Sequence, residues 1–217
     1  MVDLITGLSA ERVRANLQRV RGEIEAAAGP RAGDVEVLAA VKYVPTEELG
    51  VLADAGLELL GENRAQDLAA KADAHEGRFT WDFIGHLQSR KVRQLLPYVR
   101  YLHSVASDSV LGQLARHADP GTEVLVEVNI SGEPRKSGVA PDQLAAFIER
   151  CPVTVIGLMT MPPMTDDPET SRPHFAALRA LAERHGLRHL SMGTSQDYVV
   201  AVQEGATIVR LGTSLYL

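Results

Sequence analysis

Eight short apolar runs recur along the chain, at residues 35–41, 57–60, 80–84, 99–103, 123–128, 153–159, 188–190 and 207–211. Helical patterns lie between most of them. Residues 10–28 place Val13, Leu17, Val20 and Ile24 on one face, with Ser9 as N-cap and Gly29-Pro30 as the stop. Further helices are expected over about 45–55, 86–96, 108–117, 141–150, 169–185 and 197–204. Strands joined through helices run parallel, because the crossover returns the chain to the same edge. Eight such units and no linker-like stretch predict a closed (β/α)8 TIM barrel, a single α/β domain spanning 1–217. The competing architecture, an open doubly wound sheet, usually carries a glycine-rich phosphate turn after its first strand. Here that turn reads Lys42-Tyr43-Val44-Pro45, without glycine.

Composition narrows the function classes. With 217 residues, 45% hydrophobic and 23% charged, the chain has ordinary globular content. A net charge of −6 argues against an extended nucleic-acid surface. Cys151 is the one cysteine, which excludes an intramolecular disulfide framework and a Cys-rich zinc site. No run approaches the roughly 18 apolar residues of a membrane span. The first residues carry Asp3 and Glu11 and no basic-then-apolar signal pattern. A cytoplasmic protein is expected, with neither nucleic acid nor membrane as partner.

In a barrel of this kind, chemistry collects at the carboxyl ends of the strands. Three features stand out there. Lys42 directly follows the first apolar run, in a chain with four lysines against eighteen arginines. A lysine desolvated at a strand end has its pKa lowered and offers a neutral nucleophilic amine; a lysine snorkelling into solvent is the plainer reading. The segments Ser191-Met192-Gly193-Thr194-Ser195 and Arg210-Leu211-Gly212-Thr213-Ser214 follow the last two strands, where barrels often bind phosphate through backbone N–H groups. Arg210 itself sits in an apolar strand, where a guanidinium needs a partner. That partner is either a strand-end acid such as Glu62 or a ligand acceptor. An amine, a phosphate cradle and a cationic donor together suit a phosphorylated aldehyde or ketone. Pyridoxal phosphate fits, and so does a sugar phosphate in a class I aldolase-type reaction.

These residues also carry a resemblance. Val41-Lys42 with Pro45, Gly61-Glu62-Asn63 with Gln66, the run Trp81-Asp82-Phe83-Ile84-Gly85-His86-Leu87-Gln88, Val128-Asn129-Ile130 with Lys136-Ser137-Gly138, Gly157-Leu158-Met159, Leu190-Ser191-Met192-Gly193, and Val209-Arg210 with Gly212-Thr213 occur in order. From about residue 38 to the end, the chain resembles the pyridoxal-phosphate homeostasis protein family, also called the proline synthase co-transcribed homologue family. The resemblance implies a barrel like the N-terminal domain of alanine racemases, with pyridoxal 5'-phosphate held as a Schiff base on Lys42. It implies that Arg210 faces the pyridine nitrogen, that Ser191, Gly193, Gly212 and Thr213 hold the phosphate, and that Asn63 and His86 line the pocket. Lys136 is read either as a secondary acceptor for the cofactor or as a solvated loop lysine. The chain departs from the family pattern at Val41 and Tyr43, which flank the lysine, and at Thr194.

Racemases of this barrel type need a second acid–base group opposite the lysine, commonly a tyrosine from a separate domain. Of the five tyrosines, Tyr43 alone lies beside Lys42 in the sequence. The expectation is therefore a monomeric, non-catalytic carrier that stores, buffers or delivers pyridoxal phosphate, with pyridoxal-phosphate-dependent apoenzymes as recipients. The alternative is an amino-acid racemase or another weak pyridoxal-phosphate enzyme. His185 and His189 are split by Gly186 and do not form a metal pair, and Arg90-Lys91-Arg93 reads as a solvated helix face.

Overall fold

The computed structural model describes residues 4–133 and 136–217. Its eight strands are β1 (Glu36–Ala40), β2 (Leu59–Glu62), β3 (Thr80–Phe83), β4 (Val99–Val105), β5 (Glu123–Glu127), β6 (Thr154–Met159), β7 (His189–Thr194) and β8 (Ile208–Leu211). All neighbours pair in parallel, and β8 returns to β1 through Glu36↔Ile208 and Leu38↔Arg210, which closes the expected barrel. The surrounding helices are α1 (Ala10–Ala28), α2 (Leu49–Asp54), α3 (Ala65–Ala74), α4 (Val92–Leu95), α5 (Asp108–His117), α6 (Leu144–Glu149), α7 (Arg172–Arg184), α8 (Tyr198–Gln203) and α9 (Thr213–Tyr216). Among the described residues, no helix is long and apolar enough to cross a membrane.

Helix α1 begins where its cap dictates: Ser9 Oγ accepts from Arg12 N, and Val13, Leu17, Val20, Ile24 and Ala28 are buried. It packs against α8 and α9. Asn16 Nδ2 donates to the carbonyls of Leu215 and Leu217, and Arg19 Nη2 to that of Ser214. This first helix thus ties down the last loop of the barrel, next to the expected phosphate segment.

Three elements differ from the sequence expectation. Helix α3 was not anticipated, because its small residues make a weak periodic signal. The helix expected from residue 86 begins only with a 3-10 turn at Ser89–Lys91, leaving His86 and Gln88 in a loop. Strand β7 runs on to Thr194, so Ser191-Met192-Gly193 belongs to the strand and not to the loop after it.

Most of the apolar core lies between the sheet and the helices. The lumen is different. His103 of β4 bonds to Ser191 of β7, and these strands are not neighbours, so the contact crosses the inside of the barrel. Side chains alternate in and out along a strand, and Asp82, His103, Ser191 and Arg210 occupy lumen positions among Leu38, Gly61 and Ile84.

Candidate functional site

The turn that carries Lys42 is anchored from below. Lys71 of α3 is buried and donates from Nζ to the Val41 carbonyl (2.7 Å) and to Glu62 Oε1 (2.6 Å). Glu62, fully buried at the end of β2, accepts from the backbone N–H groups of Asn63 (2.6 Å) and Arg64 (3.2 Å) with its other oxygen. The pair joins the ends of β1 and β2. Lys42 itself is exposed, with Nζ 4.8 Å from the centroid of the Tyr43 ring. The expected desolvated pocket around this lysine is therefore not found; the amine lies open at the mouth, in loose cation–π contact.

Arg210 is the reverse case, a cation buried at 5% exposure. Its Nη1 donates to Ser191 Oγ (2.6 Å), and its Nη2 to the Thr160 carbonyl (3.0 Å), with Met161 Sδ 2.7 Å from Nη2. Among the described residues it has no carboxylate within ion-pair distance. The ion pair with Glu62 weighed from the sequence does not form, since Lys71 takes that carboxylate. Burial pushes the guanidinium down to about 10, with Asp197 and Glu127 opposing at longer range. It remains charged at neutral pH, held by uncharged acceptors alone.

Behind Arg210 runs a buried chain of polar groups that sequence reasoning missed. Ser191 Oγ lies 2.8 Å from His103 Nδ1, and His103 Nε2 lies 3.0 Å from Asp82 Oδ2. Asp82 receives Arg100 through Nε (3.0 Å) and Nη2 (2.7 Å), and Arg100 also reaches Glu36 at the lower mouth of the barrel. Burial pushes Asp82 upward, but the bonds from His103 and Arg100 outweigh it and the carboxyl stays below its usual range. Burial pushes His103 down, and the nearby Asp82 does not restore it. A signal was present: Asp82, like Arg210, is a charged residue inside a short, mostly apolar strand.

These two shifts set a pH dependence. A native His103 that refuses a proton contributes no differential stability above the unfolded imidazole pKa of about 6.5 and costs stability below it. Half-buried His189, also lowered by burial, acts in the same direction. Asp82, depressed in the native state, adds a further loss as pH falls through the carboxylate range. Stability should fall on acidification from about pH 6.5, at up to about 1.4 kcal/mol per pH unit for each proton bound by the unfolded state alone. Urea unfolding at pH 7.5, 6.5 and 5.5 measures the slope. An identical slope in His103→Gln would remove His103 as its cause.

The glycine segments divide into two roles. Gly193 has φ +91°, and a Cβ there would lie 2.6 Å from the Ala201 Cβ, so this glycine lets β7 pack on α8. Asp197 fixes the same loop, accepting from the Thr194 N–H (2.7 Å) and from Ser171 Oγ (2.9 Å). The Ser191 hydroxyl is committed to the lumen. The Ser191 side chain thus lies in the lumen and Gly193 packs β7 on α8. The donors that converge are the amides of Gly212 (3.1 Å) and Ser214 (3.3 Å), both on Ser195 Oγ, with Ser214 Oγ 3.0 Å away. Neither φ nor packing requires a glycine at 212, where a Cβ would meet only the Ala40 carbonyl oxygen at 3.7 Å. Thr213 is exposed beside these amides. The amides of Gly212 and Ser214 thus converge on Ser195 at the end of β8, the strand next to β1 and Lys42.

Asn63 is half-buried; a Cβ on Gly85 would collide with its backbone, so the ends of β2 and β3 touch there. His86 is exposed and lines a hollow with Arg90, Ser107 and Ser109, not the Arg210 cluster. Lys136 pairs with Glu133 at 2.9 Å on the loop after β5.

Residues 8–217 match the alanine racemase N-terminal domain family. A protein of Aquifex aeolicus (strain VF5) named pyridoxal phosphate homeostasis protein is 38% identical, over 96% of this chain and 97% of its own length. This chain belongs to the pyridoxal phosphate homeostasis protein family. Another member, from Pseudomonas aeruginosa, is 36% identical over 95% of this chain and 94% of its own. PipY of Synechococcus elongatus PCC7942, solved with PLP bound, superposes with TM-score 0.80 at 28% identity, covering 94% of this chain and 100% of PipY. Alanine racemase of Corynebacterium glutamicum shares the fold at TM-score 0.73 and 17% identity, covering 99% of this chain and 63% of the enzyme. The pyridoxal phosphate homeostasis proteins are named for keeping a cofactor, while enzymes also use their barrel.

Proposed function

We propose that this member of the homeostasis family binds pyridoxal 5'-phosphate at the carboxyl mouth of the barrel and serves as its carrier. The observation that carries the reading is Arg210, a buried cation with three neutral contacts and no carboxylate among the described residues. Such a group favours an acceptor supplied by a ligand. Lys42 lies four residues beyond Leu38, the register partner of Arg210, so the two residues belong to neighbouring strands with Lys42 nearer the carboxyl mouth. The amides of Gly212 and Ser214 now share a single neutral hydroxyl, and a phosphate oxygen is a stronger acceptor for both. Pyridoxal phosphate, bound there, supplies an aldehyde for a Schiff base with Lys42, a ring nitrogen for Arg210 and a phosphate for the amides.

The chain's own groups favour holding over turnover. Arg210 donates to the ring nitrogen without protonating it as a neutral acid would, which leaves the ring a weak electron sink. Tyr98 donates to Asp73, Tyr198 to Glu23 and Tyr216 to the Ala40 carbonyl, while Tyr101 packs on Arg100 and His189. Of the tyrosines, Tyr43 alone stands beside Lys42, so no pair of opposed bases is assembled among the described residues. A monomeric, cytoplasmic carrier that passes the cofactor to apoenzymes follows from this reading, with Asn63 at the pocket edge.

Melting curves of apo and cofactor-loaded protein test the assignment. Arg210→Ala should weaken cofactor binding by about 1–3 kcal/mol, the worth of a charged hydrogen bond to a buried acceptor. The apoprotein should lose little, because no acid is orphaned. A large apo loss with an unchanged cofactor-dependent increment would sink the pyridine-nitrogen role.

A further inference from the structure

We propose that His103 is a positioning residue for Arg210, and that Asp82 sets its tautomer so that Ser191 gives its hydroxyl proton to His103 and turns a lone pair to the guanidinium. This inference rests on the reading of Arg210 as the donor to the ring nitrogen. It assigns a role to Asp82 and His103, which no expected site contained, and a lumen role to the Ser191 side chain.

The direction of every hydrogen bond follows from the chemistry of the groups. Asp82 is fully buried and accepts four N–H groups: two from Arg100, the Tyr101 backbone amide (3.2 Å) and His103. Four is the full capacity of a carboxylate, and an ionised carboxylate can only accept. Its partner His103 Nε2 must therefore be the donor. Burial keeps the imidazole singly protonated; Asp82 opposes this, and Arg100 and Arg210 reinforce it. With the proton on Nε2, Nδ1 is an acceptor, so Ser191 Oγ donates to it at 2.8 Å. The Ser191 oxygen then offers lone pairs alone, and Arg210 Nη1 fills one at 2.6 Å. The Thr160 carbonyl holds Nη2 of the same guanidinium at 3.0 Å, so Arg210 is pinned at two nitrogens by neutral acceptors.

The charge pattern matches this role. The negative charge of Asp82 is taken up by Arg100, which Glu36 balances in turn. Imidazole and hydroxyl separate that charge from Arg210. The carboxylate therefore orients the site without neutralising the cation that faces the ligand. The opposite tautomer would place a second N–H on Ser191 Oγ and take away the Nδ1 acceptor of its hydroxyl proton, so the oxygen would no longer be fixed and polarised toward Arg210.

The test begins on the ligand-free protein. Nitrogen-15 NMR of the imidazoles should show His103 with its proton on Nε2 from pH 6 to 8. Asp82→Asn should move that proton to Nδ1, since an amide N–H facing Nε2 takes the acceptor position away. The same variant should lose about tenfold in pyridoxal phosphate affinity, the equivalent of one charged hydrogen bond, and shift the visible band of the bound cofactor. His103→Gln, which keeps a donor toward Asp82 and an acceptor toward Ser191, should stay closer to wild type than His103→Leu in both readouts. An Nδ1–H tautomer in the wild type overturns the proposal. So does a folded Asp82→Asn or His103→Leu protein with wild-type affinity and an unshifted band, whatever its melting temperature. A wild type that binds no pyridoxal phosphate fails the proposed function first, and this role with it.

Discussion

Lys42→Ala should abolish the visible band of bound cofactor and all borohydride-stable labelling, while the apoprotein melts as the wild type does. The expectation follows from where the lysine sits. Its side chain is exposed, with Nζ over the Tyr43 ring, so truncation removes a weak cation–π contact and little core. Substitutions of this kind alter stability by about 0.5 kcal/mol or less. The loss of covalent attachment is complete, because the other lysines lie elsewhere: Lys71 is locked on Glu62, Lys91 follows β3, and Lys136 pairs with Glu133. Mass spectrometry of the reduced protein identifies the labelled lysine. Label recovered at Lys136 with wild-type stoichiometry would reassign the site.

Glu62→Ala should be the most destabilising single change near the site, by about 3–5 kcal/mol in urea unfolding at pH 7. It leaves the buried Lys71 ammonium with the Val41 carbonyl as its remaining partner, and it strips the acceptor from the amides of Asn63 and Arg64. The turn before Lys42 should loosen with it. An apolar replacement of both partners, Glu62→Leu with Lys71→Met, should recover much of the loss, since removing a buried pair together orphans no charge. A Glu62→Ala loss below about 1 kcal/mol would mean that water reaches the ammonium, contrary to its burial.

The residues proposed for the site were legible in order along the chain. Lys42 after the first strand, Arg210 inside the eighth and the Gly212-Thr213 segment beyond it are local facts, and the barrel places them at one mouth. The strand boundary at Ser191 and Gly193, two residues of the expected phosphate set, was misplaced. The seventh run was expected to end at Leu190, whereas β7 continues to Thr194 and carries Ser191 into the lumen. Ser195, four residues on, faces the amides instead. A short apolar run marks a strand well and its end poorly, because the last residues are paired by neighbours and not chosen by hydrophobicity.

The amino-acid sequence by itself determined the eightfold alternation, the parallel connection and the faces of the helices. Period and capping are properties of neighbouring residues, and α1 needs only Ser9, Gly29 and its apolar stripe. What the tertiary structure alone decided is which polar groups meet. Alternation places Asp82, His103, Ser191 and Arg210 on inward faces of their strands, yet it cannot say that His103 reaches across to a serine 88 residues away. Nor can it say that Glu62 belongs to Lys71 and leaves Arg210 without a carboxylate. Those pairings come from closing the barrel, which sets distances across the lumen. The burial that comes with closure makes an unmatched cation costly, and that cost is the ground on which Arg210 is proposed as a ligand donor.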